Sequence, residues 1–266
     1  MSQTNLQINQ PVRLITIPVS HYCEKIRWAL TRLQIPFVEE RHMPPFHLLT
    51  TQQVRGRSVP VLITETITLT DSADILKYLD SIAPDNLKLY PTNYEQRQEV
   101  EDLVQSFDLV LAPAVRQWFY FYAFSQAQLI QPLWCEGVPW FERVFFPVVF
   151  RWMRSTVFQM YTINAESAQA SHEIIGQIFE TVENLLADGR TYLVGDSFSA
   201  ADLTFATLAA GVILPANYGV STPALSKLPS PMAANIQAFR ETRAGKFVLN
   251  LYQEHERTLQ KGELLP

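Results

Sequence analysis

The sequence predicts a two-domain chain of class α+β followed by α, and three features predict it. From Val12 to about Asp80 short β-branched runs alternate with segments of helical period. A connector punctuated by Pro and Asn follows, from Ala83 to Gln96, and beyond it nearly everything has a helical period. The expected units are a first domain over 11–82 in the order β-α-β-α-β-β-α, a linker over 83–96, and an all-helical domain over 97–257.

VRLITI, starting at Val12, alternates as a half-buried strand does, and CEKIRWALTRL then sets Ile26, Ala29, Leu30 and Leu33 on one helical face. FVEER is a second strand. The loop HMPPFH leads to a weakly helical HLLTTQQV, to a third strand in RSVPVLI headed by Pro60, and to a short fourth in ITL. TDSADILKYLDSI closes this part as a helix with Asp71 at its N-cap. There is no GxGxxG or GxxxxGK loop to cradle a nucleotide's phosphates.

In the second part, Phe107, Leu111, Ala114, Trp118 and Phe121 recur at helical spacing, and Pro113 predicts a kink among them. Another helix is expected from about Ser167 to Asp188, stopped by Gly189. FSAADL is a helix-start signature: Ser199 as N-cap, Asp202 as its reciprocal cap, Phe198 and Leu203 as the staple. The apolar stretch Val138 to Met160 has only positions 144–150 free of charge between Arg143 and Arg151, with Pro147 among them. Crossing a bilayer takes about 20 apolar residues, so the expectation is a buried helix pair and no membrane span. Capping a pocket, extending a dimer contact and binding a partner stay open as roles for 131–161.

Hydrophobic residues make up 47% of 266, enough for a sizeable core. A net charge of -5 with scattered Lys and Arg argues against nucleic acid as a partner. Two cysteines, Cys23 and Cys135, exclude a disulfide framework and fit a reducing cytoplasm, and the polar start MSQTNLQINQ lacks a signal-peptide pattern.

Three points in the first domain suit an acidic, extended ligand. A helix begins near Ser20, where unpaired backbone N–H groups and the helix dipole stabilise an anion. A cis bond at Val59-Pro60 would free the preceding backbone to pair with an extended peptide. Asp71-Ser72 opens another helix, where N–H groups and the Ser72 hydroxyl suit a carboxylate.

SHYCEKIRWAL, SVPVLI, TDSADILKYLD, LYPTN and FSAADLTFATL fall in the order of one known family, and over about Val12 to Phe247 the chain resembles the soluble glutathione transferases. The resemblance implies a thioredoxin-like first domain, an all-helical second domain, a homodimer with a detoxifying role, glutathione as co-substrate and no metal. It implies that Ser20 donates a hydrogen bond to the glutathione sulfur, that the Val59 backbone pairs with the cysteinyl part and that Pro60 is the family's cis-proline. Asp71 and Ser72 match the pair that holds the γ-glutamyl end, with Asp71 one methylene shorter than the usual acid. The glycyl carboxylate is expected to meet a cation among Arg41, His42, His47, Arg55 and Arg57, with Arg57 and His47 favoured. Tyr22, Phe46, Trp118 and Tyr122 are the expected lining of the pocket for a hydrophobic small molecule.

Cys23 occupies the last position of the motif, on the helix, and reads as a packing residue. Thr16 stands where the tyrosine-type members place their catalytic tyrosine. The leading expectation is a glutathione transferase of serine type; the alternatives are a glutathione-dependent thiol reductase or lyase using Cys23, and a non-catalytic member that binds a ligand or partner.

Overall fold

The first part of the chain runs β1 (Val12–Thr16), α1 (His21–Arg32), β2 (Phe37–Arg41), α2 (His47–Thr51), β3 (Val61–Ile63), β4 (Thr68–Leu69) and α3 (Ser72–Ile82). This is the predicted order. It comes from a computed structural model that describes residues 11–262, with side chains to 255; the polar start and the signal-peptide expectation resting on it lie outside the described residues. The sheet order is β2-β1-β3-β4. β1 lies parallel to β2, with Val12 opposite Phe37, and antiparallel to β3, with Leu14 opposite Leu62. A parallel pair needs a crossover, and α1 supplies it, burying Ile26, Trp28, Ala29 and Leu30.

The second part is helical: α4 (Tyr94–Ser106), α5 (Ala112–Ala123), α6 (Ala127–Cys135), α7 (Trp140–Met160), α8 (Ala165–Leu185), α9 (Ala200–Ile213), α10 (Ser230–Glu241) and α11 (Arg243–Gly262). Every residue of α9 except Gly211 is buried, as expected of a helix apolar on all sides. α9 packs against α1, α4, α5, α10 and α11 and so joins the two parts. Its start is held by Asp202, whose carboxylate accepts from the Ser199 N–H and hydroxyl, each at 2.7 Å, and from the Leu193 N–H at 2.7 Å. α8 ends through a 3-10 turn at Gly189, whose φ of 88° is left-handed.

Two expectations change. Pro113 is accommodated by a π turn over Phe107–Leu111, which links α4 and α5 in one helical run. That turn includes Leu109, the residue whose carbonyl a proline at 113 leaves without its donor. The stretch Val138 to Met160 is not a buried pair but the single helix α7, with the exposed Pro147 inside it. Glu142, Phe146, Phe150 and Val157 turn inward, while Trp140, Val144, Phe145 and Val148 face outward. Among the described residues no helix is long and apolar enough to cross a membrane.

Candidate functional site

Ser20 is the N-cap of α1. Its Oγ accepts from the Cys23 N–H at 3.4 Å and its carbonyl from the Glu24 N–H at 2.9 Å, and the hydroxyl also reaches the Cys23 thiol. The backbone before it is held from several sides. Tyr218 donates its hydroxyl to the Val19 carbonyl at 2.8 Å, and Arg27 donates to the Pro18 carbonyl at 2.6 Å. Arg27 in turn is paired with Glu24 and with Glu39, the latter at 2.7 Å, and Glu24 accepts from the Gly219 N–H at 3.0 Å. A Cβ at Gly219 would collide with the Glu24 carboxylate and the Arg27 guanidinium, so only glycine allows this approach.

Cys23 is 0% exposed, and burial pushes its thiol up to about 11 despite Arg27 and the Ser20 hydrogen bond. It is therefore a protonated, inaccessible thiol at neutral pH. Tyr22 donates its hydroxyl to the Asp108 carbonyl at 2.9 Å, and burial, with Asp108 next, pushes the phenol up to about 12. Its proton is thus committed elsewhere. The Asp108 carboxylate receives Lys25 Nζ at 2.7 and 2.8 Å, so the π turn presents both its backbone and its charge to α1.

Two adjoining spaces meet at Tyr22, Ser58, Val59 and Arg116. One is a largely apolar cavity of about 490 Å³ reached by Ser20, His47, Arg57 and Val59. The other is a more polar groove of about 590 Å³ bounded by Val59, Pro60, Asp71 and Ser72. Val59-Pro60 is cis. Asp71 caps α3, its Oδ1 accepting from the Ala73 and Asp74 N–H groups at 2.8 and 3.2 Å. His47 is held down to about 4 by burial and then by neighbouring His42, so its imidazole is uncharged at neutral pH; Arg57 is exposed. Among the described residues no group of three or more His, Cys, Asp or Glu side chains is placed to hold a metal.

The structure thus brings Ser20, Tyr22, His47, Arg57, Val59, Pro60, Asp71 and Ser72 to the two spaces. Phe46, Trp118 and Tyr122 line neither. Phe46 meets Phe141 edge-on at 6.2 Å; Trp118 is 1% exposed and packs on Tyr122 at 5.2 Å. The reason is helical phase: on α5 it is Val115, Arg116, Phe119 and Tyr120 that reach the cavity. Trp134 and Trp152, from the aromatic stretch 131–161, also line it, as does Tyr218, which no local signal marked. α7, which supplies Trp152, is fixed by Glu142, whose oxygens meet His42 Nδ1 at 2.6 Å and the Met43 N–H at 2.7 Å.

Residues 14–87 match the family model described as glutathione S-transferase, N-terminal domain, and residues 143–240 match that for the C-terminal domain. The glutathione S-transferase of Ceriporiopsis subvermispora, solved in complex with glutathione, is 18% identical over 93% of this chain and 98% of its own, with a TM-score of 0.65. Poplar glutathione transferase F1 is 18% identical over 92% of this chain and 99% of its own, at 0.53. Prostaglandin synthase D of Nilaparvata lugens is 14% identical over 97% and 99%, at 0.56. At these identities the likeness is one of fold. No curated protein sequence matches the chain.

Proposed function

The chain belongs to the glutathione S-transferase family, and from that premise we propose that it binds glutathione across the junction of groove and cavity and transfers it, as a thiolate, to a hydrophobic electrophile. The observation that carries this reading is Ser20: a hydroxyl at the N-terminus of α1 that lines the same cavity as Val59, where the two spaces meet. The γ-glutamyl end lies at Asp71 and Ser72, the cysteinyl backbone at Val59, and the glycyl carboxylate at Arg57. His47, being uncharged, offers at most a neutral N–H.

A free thiol titrates near 8.5, and making thiolate dominant takes a shift of about two units, or roughly 2.7 kcal/mol. A hydroxyl hydrogen bond to a charged partner contributes about 1.5–3 kcal/mol and a helix terminus about 0.3–1. The His21 and Tyr22 N–H groups, at the first two positions of α1, belong to that terminus. With an aryl halide the thiolate forms a C–S bond at the carbon bearing the halogen, that C–halogen bond breaks, halide leaves, and the thiol proton has already gone to solvent.

The test is aryl-halide conjugation by the wild type and Ser20→Ala, with the glutathione thiolate followed by its ultraviolet absorbance against pH. We expect kcat/KM to fall about 10- to 100-fold, the equivalent of one charged hydrogen bond, and the thiol pKa in the complex to rise. Unchanged values remove Ser20 from the mechanism, and a protein that neither conjugates nor is retained on immobilised glutathione overturns the transferase reading. A homodimer in a reducing cytoplasm belongs to the same proposal. Both cysteines are free and buried, which suits such a compartment, and sedimentation of the purified chain tests the dimer.

A further inference from the structure

Arg116 is a cation that nothing in the described structure neutralises. It is half-buried on α5, makes no ion pair or hydrogen bond among the described residues, and lies over the Tyr161 ring with its guanidinium carbon 4.2 Å from the centroid. Tyr161 is itself fixed, its carbonyl accepting from Gln117 Nε2 at 2.7 Å. A guanidinium set over an aromatic face still has N–H groups to offer an anion.

The surroundings say which side those groups serve. The polar groove is acid-rich, with Asp71, Glu101, Asp102 and Asp108 around it, and suits an amino group. The apolar cavity has no aspartate or glutamate among the described residues that line it; its ionisable side chains include His21, His47, Arg57 and Arg116. Burial holds the two imidazoles at about 3 and about 4, which leaves the arginines as its charges at neutral pH. Arg57 is exposed, whereas Arg116, at the junction of the two spaces, shares the apolar wall with Phe119, Tyr120 and Tyr161.

We infer that the second substrate is an amphipathic anion, an aromatic or other apolar body ending in a carboxylate or sulfonate, and that Arg116 is the residue that selects it. A half-buried cation without a counter-ion gains from a ligand that brings one. A neutral ligand of the same shape leaves the guanidinium unpaired in a site the ligand has dried. The inference rests on the transferase reading for the chemistry that follows binding, but the binding itself needs no glutathione.

The test separates the two. Fluorescence titrations compare 1-anilinonaphthalene-8-sulfonate with N-phenyl-1-naphthylamine, the same aromatic body without the sulfonate, on wild type, Arg116→Gln and Arg116→Lys. The wild type is expected to bind the sulfonate at least about tenfold more tightly, Arg116→Gln to lose that preference while keeping its affinity for the neutral probe, and Arg116→Lys to regain part of it. Equal affinities in the wild type, or a preference that survives in Arg116→Gln, overturn the inference. In parallel, conjugation of 4-chloro-3-nitrobenzoate is compared with that of its methyl ester. Arg116→Gln is expected to cut kcat/KM for the carboxylate at least about tenfold more than kcat/KM for the ester. A rise in the glutathione KM that penalises both electrophiles equally also overturns it. A sulfonate preference that depends on Arg116, with no turnover of either electrophile, upholds the anion site and tells against the transferase reading alone.

Discussion

At Asp71 one short acid does what a longer one does poorly. Its Oδ1 takes two first-turn N–H groups of α3, which leaves the second carboxylate oxygen for an amine in the groove. Asp71→Ala is expected to cost about 1 kcal/mol in chemical denaturation through the lost cap. Asp71→Asn keeps the cap, since asparagine serves equally well there, yet removes the charge. Its stability therefore stays near wild type while its KM for glutathione rises; a KM as low as the wild type's shows that the charge is not used. Cys23→Ala is the converse case: conjugation stays within about threefold of wild type, because a buried, protonated thiol takes no part. A larger loss in a folded variant returns Cys23 to the mechanism. Ser20 and Asp71 were legible in sequence as helix starts, whereas the cis isomer at Val59-Pro60 was implied only by the family resemblance, since a proline heading a strand does not by itself select it. The choice of Arg116 over Trp118 was not legible, because both sit in one aromatic run and only packing decides which face of α5 meets the cavity.

Among the elements, α7 owes its place to a pair of charges contributed from opposite ends of a long loop closure. Glu142, 1% exposed, accepts from Met43 and meets His42, whose other nitrogen meets Glu40 at 2.9 Å and Thr50 Oγ at 3.1 Å. The Glu142 hydrogen bond, with Glu40 in support, raises the His42 pKa above its ordinary 6.5 against the effect of burial. The folded value exceeds the unfolded one, so the stabilisation is fully present below about pH 6.5 and is lost as pH rises through the raised folded value. Thermal unfolding from pH 6 to 9 should show that loss, and His42→Gln should flatten it. An unchanged profile in His42→Gln shows that this clamp does not report on stability. α7 also supplies Trp152, Met153 and Val157 to the cavity, so the same clamp orders one of its walls. Hydrophobic content and Pro147 had suggested a buried helix pair here; the partner that fixed the helix, His42, lies 100 residues upstream of Glu142 and leaves no periodic trace.

At the scale of the molecule, the two halves are tied by a charge pair under the site. Lys25, 0% exposed, reaches from α1 to Asp108 in the π turn, next to the point where Tyr22 donates to the same residue's carbonyl. Burying such a pair gains little, whereas removing one partner strands the other. Lys25→Met is therefore expected to destabilise by about 3 kcal/mol, the low end for a broken buried pair because Asp108 keeps an edge to solvent. Lys25→Met with Asp108→Leu should recover much of that loss in urea denaturation. If the double variant is no more stable than the single one, the pair is not what couples the halves.

By itself the sequence determined the order of strands and helices in the first part, the caps at Asp71 and Asp202 and the shift to an all-helical remainder. Those features depend on neighbours within a few residues, through side-chain period and backbone hydrogen bonding. Tertiary structure alone decided that Tyr218 braces the Ser20 loop from 199 positions away, that Arg116 faces the cavity unpaired, and that α7 keeps one apolar face outside. Burial and charge pairing are settled only when distant surfaces meet, because the desolvation that raises the Cys23 thiol and the Glu142 carboxylate that clamps His42 come from segments no local pattern connects.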